Sequence, residues 1–212
     1  MKFTAKGRQY EVDKFGVHQV DHKPFVYDPA YSGIYDTPEY SKKSLELQKL
    51  RLDFINRVHG KKINSVHDCG YGNGAFMKFV AKHIPIVTGS DVTGVDVEGC
   101  YVFADILPAN VITFWDCLEH IPDLSFVKYL LHETVCISLP YCHLRTHGKR
   151  WFETSYHHLK PDEHVHHFDE FYLDNLMDSM GWETVEISDH EDEIRTPKHG
   201  LQNILSMAFK RK

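Results

Sequence analysis

The sequence predicts an α/β protein built on a doubly wound, mostly parallel sheet, sandwiched in three layers and closed by an antiparallel last strand. Three observations carry that prediction. From residue 63 onward, apolar runs of strand length alternate with helical stretches, the pattern of a parallel sheet covered on both faces. The first run, INSVHDC, ends in a glycine-rich turn placed directly before a helix. The chain finishes on two strand patterns in succession, WETVEI and QNILSMAF.

Taken in order, residues 1–60 read as an N-terminal cap and residues 61–212 as the main domain. KFTAKGRQYEVDKFGVHQV alternates like short strands, with Gly7 and Gly16 at the turns. An aromatic segment follows, with Phe25, Tyr27, Tyr31, Tyr35 and Tyr40 interrupted by Pro24, Pro29 and Pro38. Thr37-Pro38-Glu39 then supplies a capping residue, a first-turn proline and an acid for a helix reaching His59, with Leu47, Leu50, Phe54 and Val58 on one face. Beyond the first sheet strand, a helix is expected from Ala75 to His83 and is stopped by Pro85. Strands are expected at VTGVD, YVFAD and VITFWD, and a helix from about Asp123 with Phe126, Val127, Leu130 and Leu131 facing inward. TVCISLP is the next strand, followed by a long histidine-rich loop. Asp169 caps a final helix carrying Leu173, Leu176, Met177 and Met180, which Gly181 ends.

Composition narrows the function classes. With 42% hydrophobic residues over 212 positions the chain can fill one sizeable core. A formal net charge of −6 provides no general field to gather a polyanion, so nucleic acid is disfavoured as a partner. No stretch approaches the roughly 20 apolar residues of a membrane span, and MKFTAKGRQYEV lacks the apolar core of a signal peptide. A cytoplasmic protein is expected. The five cysteines form no CxxC pair, which argues against a disulfide framework or a zinc ribbon.

The strongest local signal is Asp68-Cys69-Gly70-Tyr71-Gly72-Asn73-Gly74, between a strand and a helix. Glycines there tolerate positive φ and let a ligand approach the backbone. Asp96, read as closing the VTGVD strand beside this turn, is placed to accept from both hydroxyls of a nucleoside ribose.

These residues resemble the class I S-adenosylmethionine-dependent methyltransferases, whose first motif is an acid, one residue, then glycine-x-glycine-x-glycine. The resemblance continues through GVDV, YVFADIL, FWDCLEHIPD and SLP. It ends in HLKPDEHVHHFDEFYLDNLMDSMGWE, which looks like the subgroup of ubiquinone-biosynthesis O-methyltransferases and other small-molecule methyltransferases. It implies a Rossmann-like fold and S-adenosylmethionine as cofactor. Gly70, Tyr71, Gly72 and Gly74 would line the cofactor, with Asp68 near its amino group and Asp96 on its ribose. Asp105 and the backbone of Ile106 would meet the adenine, and Asp116-Cys117 would border the methionyl part. Only about nine residues separate Asp96 from Asp105, too few for a helix and a strand between them.

Methyl transfer from a sulfonium requires alignment and the handling of one proton. Glu119, His120, His143, His164 and His166 lie where a base must come from, and His164 is preferred because imidazole titrates near neutrality. Asp116, Glu119 and His120 also have the i, i+3, i+4 spacing of a cation site and resemble the E-x-x-E-H metal motif of some methyltransferases. Asp116 is one methylene shorter than that motif expects, and no metal is assigned. Tyr27, Tyr31 and Tyr35 are candidates for a lid, and Arg51 for the cofactor carboxylate or for solvent. The run Asp189–Glu193 reads as a solvated loop. A small-molecule acceptor, methylated at a hydroxyl, is the leading expectation. An RNA or nucleotide acceptor, hinted at by Lys149-Arg150-Trp151, and a non-catalytic cofactor-binding module stay open.

Overall fold

Val111–Trp115 is apolar but for Thr113, and in the computed structural model every residue of it is buried, as strand β7 at the centre of a seven-stranded sheet. The structure describes residues 1–27, 38–195 and 200–212, and only the backbone of 38–41. Tyr31 and Tyr35 of the expected lid lie outside the described residues.

The sheet comprises β4 (Ser65–Cys69), β5 (Ile86–Ser90), β6 (Tyr101–Phe103), β7, β8 (Thr134–Pro140), β10 (Trp182–Ser188) and β11 (Ile204–Arg211). Its order is β10-β11-β8-β7-β4-β5-β6. The five strands from β6 to β8 run parallel, whereas β11 lies antiparallel to β8, with Met207 opposite Ile137, and antiparallel to β10. This is the expected Rossmann-like sheet with its antiparallel last strand. The chain order reverses at β4, with β5 on one side and β7 on the other, so the crevice at their carboxyl ends is where such sheets take ligands.

Helix α1 (Pro38–His59) covers one face together with α2 (Ala75–Val80). Phe54, Ile55 and Val58 share a core there with Val66, Phe76, Met77 and Val111. On the other face α4 (Glu170–Ser179) brings Leu173 and Met177 against Ile137, Phe114 and Phe209. Asp169 caps α4 as expected, its side chain accepting from Tyr172 N at 2.9 Å.

A second, smaller sheet has the order β1-β2-β3-β9, from Lys2–Ala5, Arg8–Val12, Val17–Gln19 and His166–His167. It roofs the carboxyl end of β7, because β9 belongs to the segment whose Val165 N donates to Glu119 O at 2.9 Å. Residues 1–60, expected as one cap, therefore divide in their packing: β1–β3 build the roof, while α1 lies in the core of the main sheet.

Three sequence expectations about elements are corrected. The second sheet strand is Ile86–Ser90, not 92–96, which form a loop with Val92 86% exposed. Gly89 disguised the strand; a Cβ there would come within 2.6 Å of Met77 Sδ, so glycine is needed for α2 to approach the sheet. The helix expected from Asp123 is a 3-10 turn over Ser125–Tyr129, and Leu131 is exposed. The histidine-rich loop contains a helix, α3 (Leu144–Thr154), broken at Gly148 with φ 75°, and that glycine interrupted its pattern in the sequence. Among the described residues, no helix is long and apolar enough to cross a membrane.

Candidate functional site

The glycine turn sits at the crevice. Gly70 and Gly74 owe their lack of a side chain to packing: a Cβ on Gly70 would run into Cys117 Sγ, and one on Gly74 would lie 2.6 Å from Val97 Cγ2. Gly72 is different. At φ 55° it has nothing within 4 Å of its would-be Cβ, so its outer side is open, and its N–H donates to Asp91 Oδ2 at 2.9 Å. Tyr71 is buried, its hydroxyl donating to Val95 O.

The shift of the second strand moves its terminal acid. Asp91 directly follows β5, bonds to Gly72 and accepts from Thr93 N at 2.8 Å. Asp96, expected at that strand end, is exposed in the loop five residues beyond Asp91. Asp91 was legible as the acid after IVTGS, but the glycine at position 89 drew the strand elsewhere. Asp105 and Ile106 follow the short β6 as expected, Asp105 exposed and Ile106 half-buried, with no helix between β5 and β6.

Asp68 is buried at the end of β4 and accepts from Thr113 Oγ1 at 2.6 Å. Burial raises its carboxyl to about 7, more than the Thr113 bond lowers it. Because the folded value lies above an unfolded one near 3.9, the group's contribution is fully present below about pH 4 and is lost as pH rises through about 7. The difference between the folded and unfolded values corresponds to ~4 kcal/mol. Asp68→Asn keeps the bond to Thr113 without the charge. Urea unfolding from pH 4 to 8 should show the wild type losing ~4 kcal/mol relative to this variant. Parallel pH profiles for the two proteins would rule out a protonated Asp68.

Asp116, at φ 51°, follows β7 and is half-buried. Arg51 Nη2 reaches its Oδ2 at 3.2 Å and Arg195 Nη1 the same oxygen at 2.8 Å. Burial acts to raise this carboxyl, but the guanidiniums of Arg195 and then Arg51 prevail and hold it well below the usual carboxylate range. Arg51 is thus neither solvent-exposed nor free. Its other partner is Glu191, fully buried at 2.7 Å, so the expected solvated loop at 189–193 is instead a 3-10 turn, His190–Glu193, folded inward. Glu191 and Arg195 are four residues apart, but no local sequence signal joins them to Arg51; only the fold does.

One turn further on, Glu119, His120 and His164 present ligand-capable atoms that all lie within 4.8 Å of one another. His120 Nδ1 is 2.9 Å from Glu163 O, which can only accept, so the hydrogen sits on Nδ1 and Nε2 is left to face Glu119, 3.8 Å away. The Tyr27 hydroxyl also lies 2.9 Å from that Nδ1. Among the described residues, neither oxygen of Glu119 has a hydrogen-bond partner, and neither does His164 Nδ1. Burial, and then the Asp116 charge, push the Glu119 carboxyl well above its ordinary value, while burial and the neighbouring His120 depress His164 strongly. Burial thus disfavours charge on all three side chains of the cluster.

Asp116 does not join this cluster, because its carboxylate is committed to the arginines. His166 turns away to His18 Nδ1 at 2.8 Å and Pro122 O, and His143 bonds Gln202 O, stacked on Tyr141 and edge-on to Trp151.

Residues 43–187 match a family described as methyltransferase domain. No match was found among curated proteins. Among solved structures, the chain is similar to an S-adenosylmethionine-dependent methyltransferase from Clostridium acetobutylicum, with TM-score 0.59 and 9% identity over 85% of this chain and 97% of that one. It is also similar to magnesium protoporphyrin IX methyltransferase from Synechocystis with bound SAH, with TM-score 0.57 and 12% identity over 90% of each chain. A third is the plantazolicin methyltransferase BpumL in complex with SAH, with TM-score 0.54 and 13% identity over 87% of this chain and 91% of that one. At such identities the likeness is one of fold.

Proposed function

Given that the chain belongs to the methyltransferase domain family and uses S-adenosylmethionine, we propose that it methylates a small-molecule acceptor at a hydroxyl group. The observation that carries this reading is the Glu119–His120–His164 cluster. It is set one turn beyond Asp116-Cys117 and tucked under the small sheet, with Glu119 and His164 only 2% and 4% exposed. A group reaching it must pass beneath a roof, which suits a small molecule better than a nucleic acid strand. The net charge of −6 agrees.

The residues at the crevice fit the cofactor. Gly72 leaves space outside the turn, Asp91 offers its carboxylate to the ribose, and exposed Val92, immediately after it, offers an apolar face to the adenine, with Asp105 and Ile106 following the neighbouring strand β6. Asp91 thus takes the ribose role expected of Asp96. Asp68, Gly70, Tyr71 and Gly74 shape the turn from beneath, and Asp116-Cys117 borders the methionyl end.

S-adenosylmethionine supplies a methyl group on a sulfonium, a leaving group that needs no further activation. The chain has then to orient the acceptor and take one proton. As the acceptor oxygen bonds carbon and the electron pair of the broken bond returns to sulfur, the hydroxyl becomes strongly acidic, so a weakly basic neutral imidazole suffices to accept its proton. His164 takes that part, with the Glu119 carboxyl and His120 beside it to answer the charge that develops. The reading is tested by calorimetry, then by methyl transfer to small hydroxyl compounds and to RNA. Binding of NAD in preference to S-adenosylmethionine, or transfer to RNA alone, would overturn it.

The unpartnered Glu119 oxygens favour a second reading, in which Glu119, His120 and His164 hold a divalent cation that orients the acceptor oxygen. Exhaustive chelation separates the two. Under the proton-transfer reading turnover is expected to be unchanged in chelator; loss of turnover with intact cofactor binding, restored by added cation, would assign the cluster to metal.

A further inference from the structure

Four charges from distant parts of the chain meet at the end of β7. Arg51 of α1 lies over the Trp115 ring, 4.8 Å from guanidinium to centroid, and spans Asp116 and Glu191. Arg195, one turn after Glu191, bonds it at 3.0 Å and closes on Asp116 with both prongs, Nη1 to Oδ2 and Nη2 to Oδ1, each at 2.8 Å. Two guanidiniums and two carboxylates sum to zero, the condition under which charges can be buried together.

The knot sits on a strained backbone. Asp116 is not a glycine, yet it takes φ 51°, a conformation that persists only where its surroundings over-determine it. That turn places Cys117 Sγ in the space left by Gly70, where no Cβ would fit, so the Asp116 turn and the cofactor turn are interlocked. The loop carrying Arg195 is itself tethered: Asn203 Nδ2 donates to Arg195 O at 2.9 Å, and Asp192 accepts from Asn203 N and Ile204 N.

We propose that Arg195 is a positioning residue for methyl transfer, whose two-pronged grip on Asp116 holds the Asp116-Cys117 turn in the shape that the methionyl end of the cofactor requires. It rests on the reading that this turn borders the cofactor. The lever is geometric: a planar guanidinium engages both carboxylate oxygens at once, whereas an ammonium engages them as a point charge.

The test measures S-adenosylmethionine affinity and thermal midpoint together for the wild type, R195K, R195M, D116N and R195M/D116N. R195K keeps the charge and loses the fork. It is expected to stay folded and bind about tenfold more weakly. R195M should bind at least as weakly, and combining it with D116N should add little, since both variants release the same turn. Cofactor affinity in R195K equal to the wild type would overturn the proposal, whether or not R195M folds. Additive losses in the double variant would do the same. Failure of the wild type itself to bind would instead remove the cofactor reading.

Discussion

Gly72→Val is expected to lose S-adenosylmethionine binding by ~100-fold or more while remaining folded. The two effects separate because of where Gly72 faces. Its would-be Cβ meets no protein atom within 4 Å, so the added side chain disturbs no packing and occupies the space outside the turn that the cofactor needs. The folded state bears only the strain of a branched residue at φ 55°, on the order of 1–2 kcal/mol. That lowers the thermal midpoint by roughly 2–8 °C in a chain of this size. Gly70→Val makes the contrast, since it collides with Cys117 and should fail to fold. In the same calorimetric series, Asp91→Ala should weaken binding by ~1.5–3 kcal/mol through loss of charged hydrogen bonds, with Asp96→Ala near the wild type. Retained affinity in Gly72→Val, or the larger loss falling on Asp96, would place the cofactor elsewhere.

The second large effect concerns the buried cluster. Glu119→Gln replaces the buried carboxyl with a group of the same shape that can neither give up nor accept a proton. If Glu119 served packing alone, this change would be nearly silent. We expect turnover to fall by ~10²–10⁴-fold with cofactor affinity within twofold of the wild type, the range in which a positioned proton-transfer group contributes. His164→Asn should fall as far. Stopped-time methyl transfer under saturating cofactor, alongside calorimetry on the same samples, measures both quantities. Full turnover in Glu119→Gln would return Glu119 to the hydrophobic core as a passive buried acid.

The sequence by itself determined the architecture and the position of the glycine turn. Those features are local: the strands β4, β7 and β8, the Asp68–Gly74 run and the Asp169 cap are each written in contiguous residues, where periodicity and turn chemistry act over a few positions. The placement of Asp91 was within reach of the same reasoning, and was hidden only by Gly89, whose reason for being glycine is α2 pressing on the sheet. The tertiary structure alone decided the rest. Asp116, Glu119 and His120 share a sequence motif, yet the fold divides them. Two arginines, 65 and 79 residues away along the chain, claim Asp116, while Glu119 and His120 turn to His164, which the small sheet brings down from above. Charge pairing and burial act through space, and which charges become neighbours is settled only when the layers close. An acid run such as Asp189–Glu193 reads as solvated until Glu191 is seen buried against Arg51.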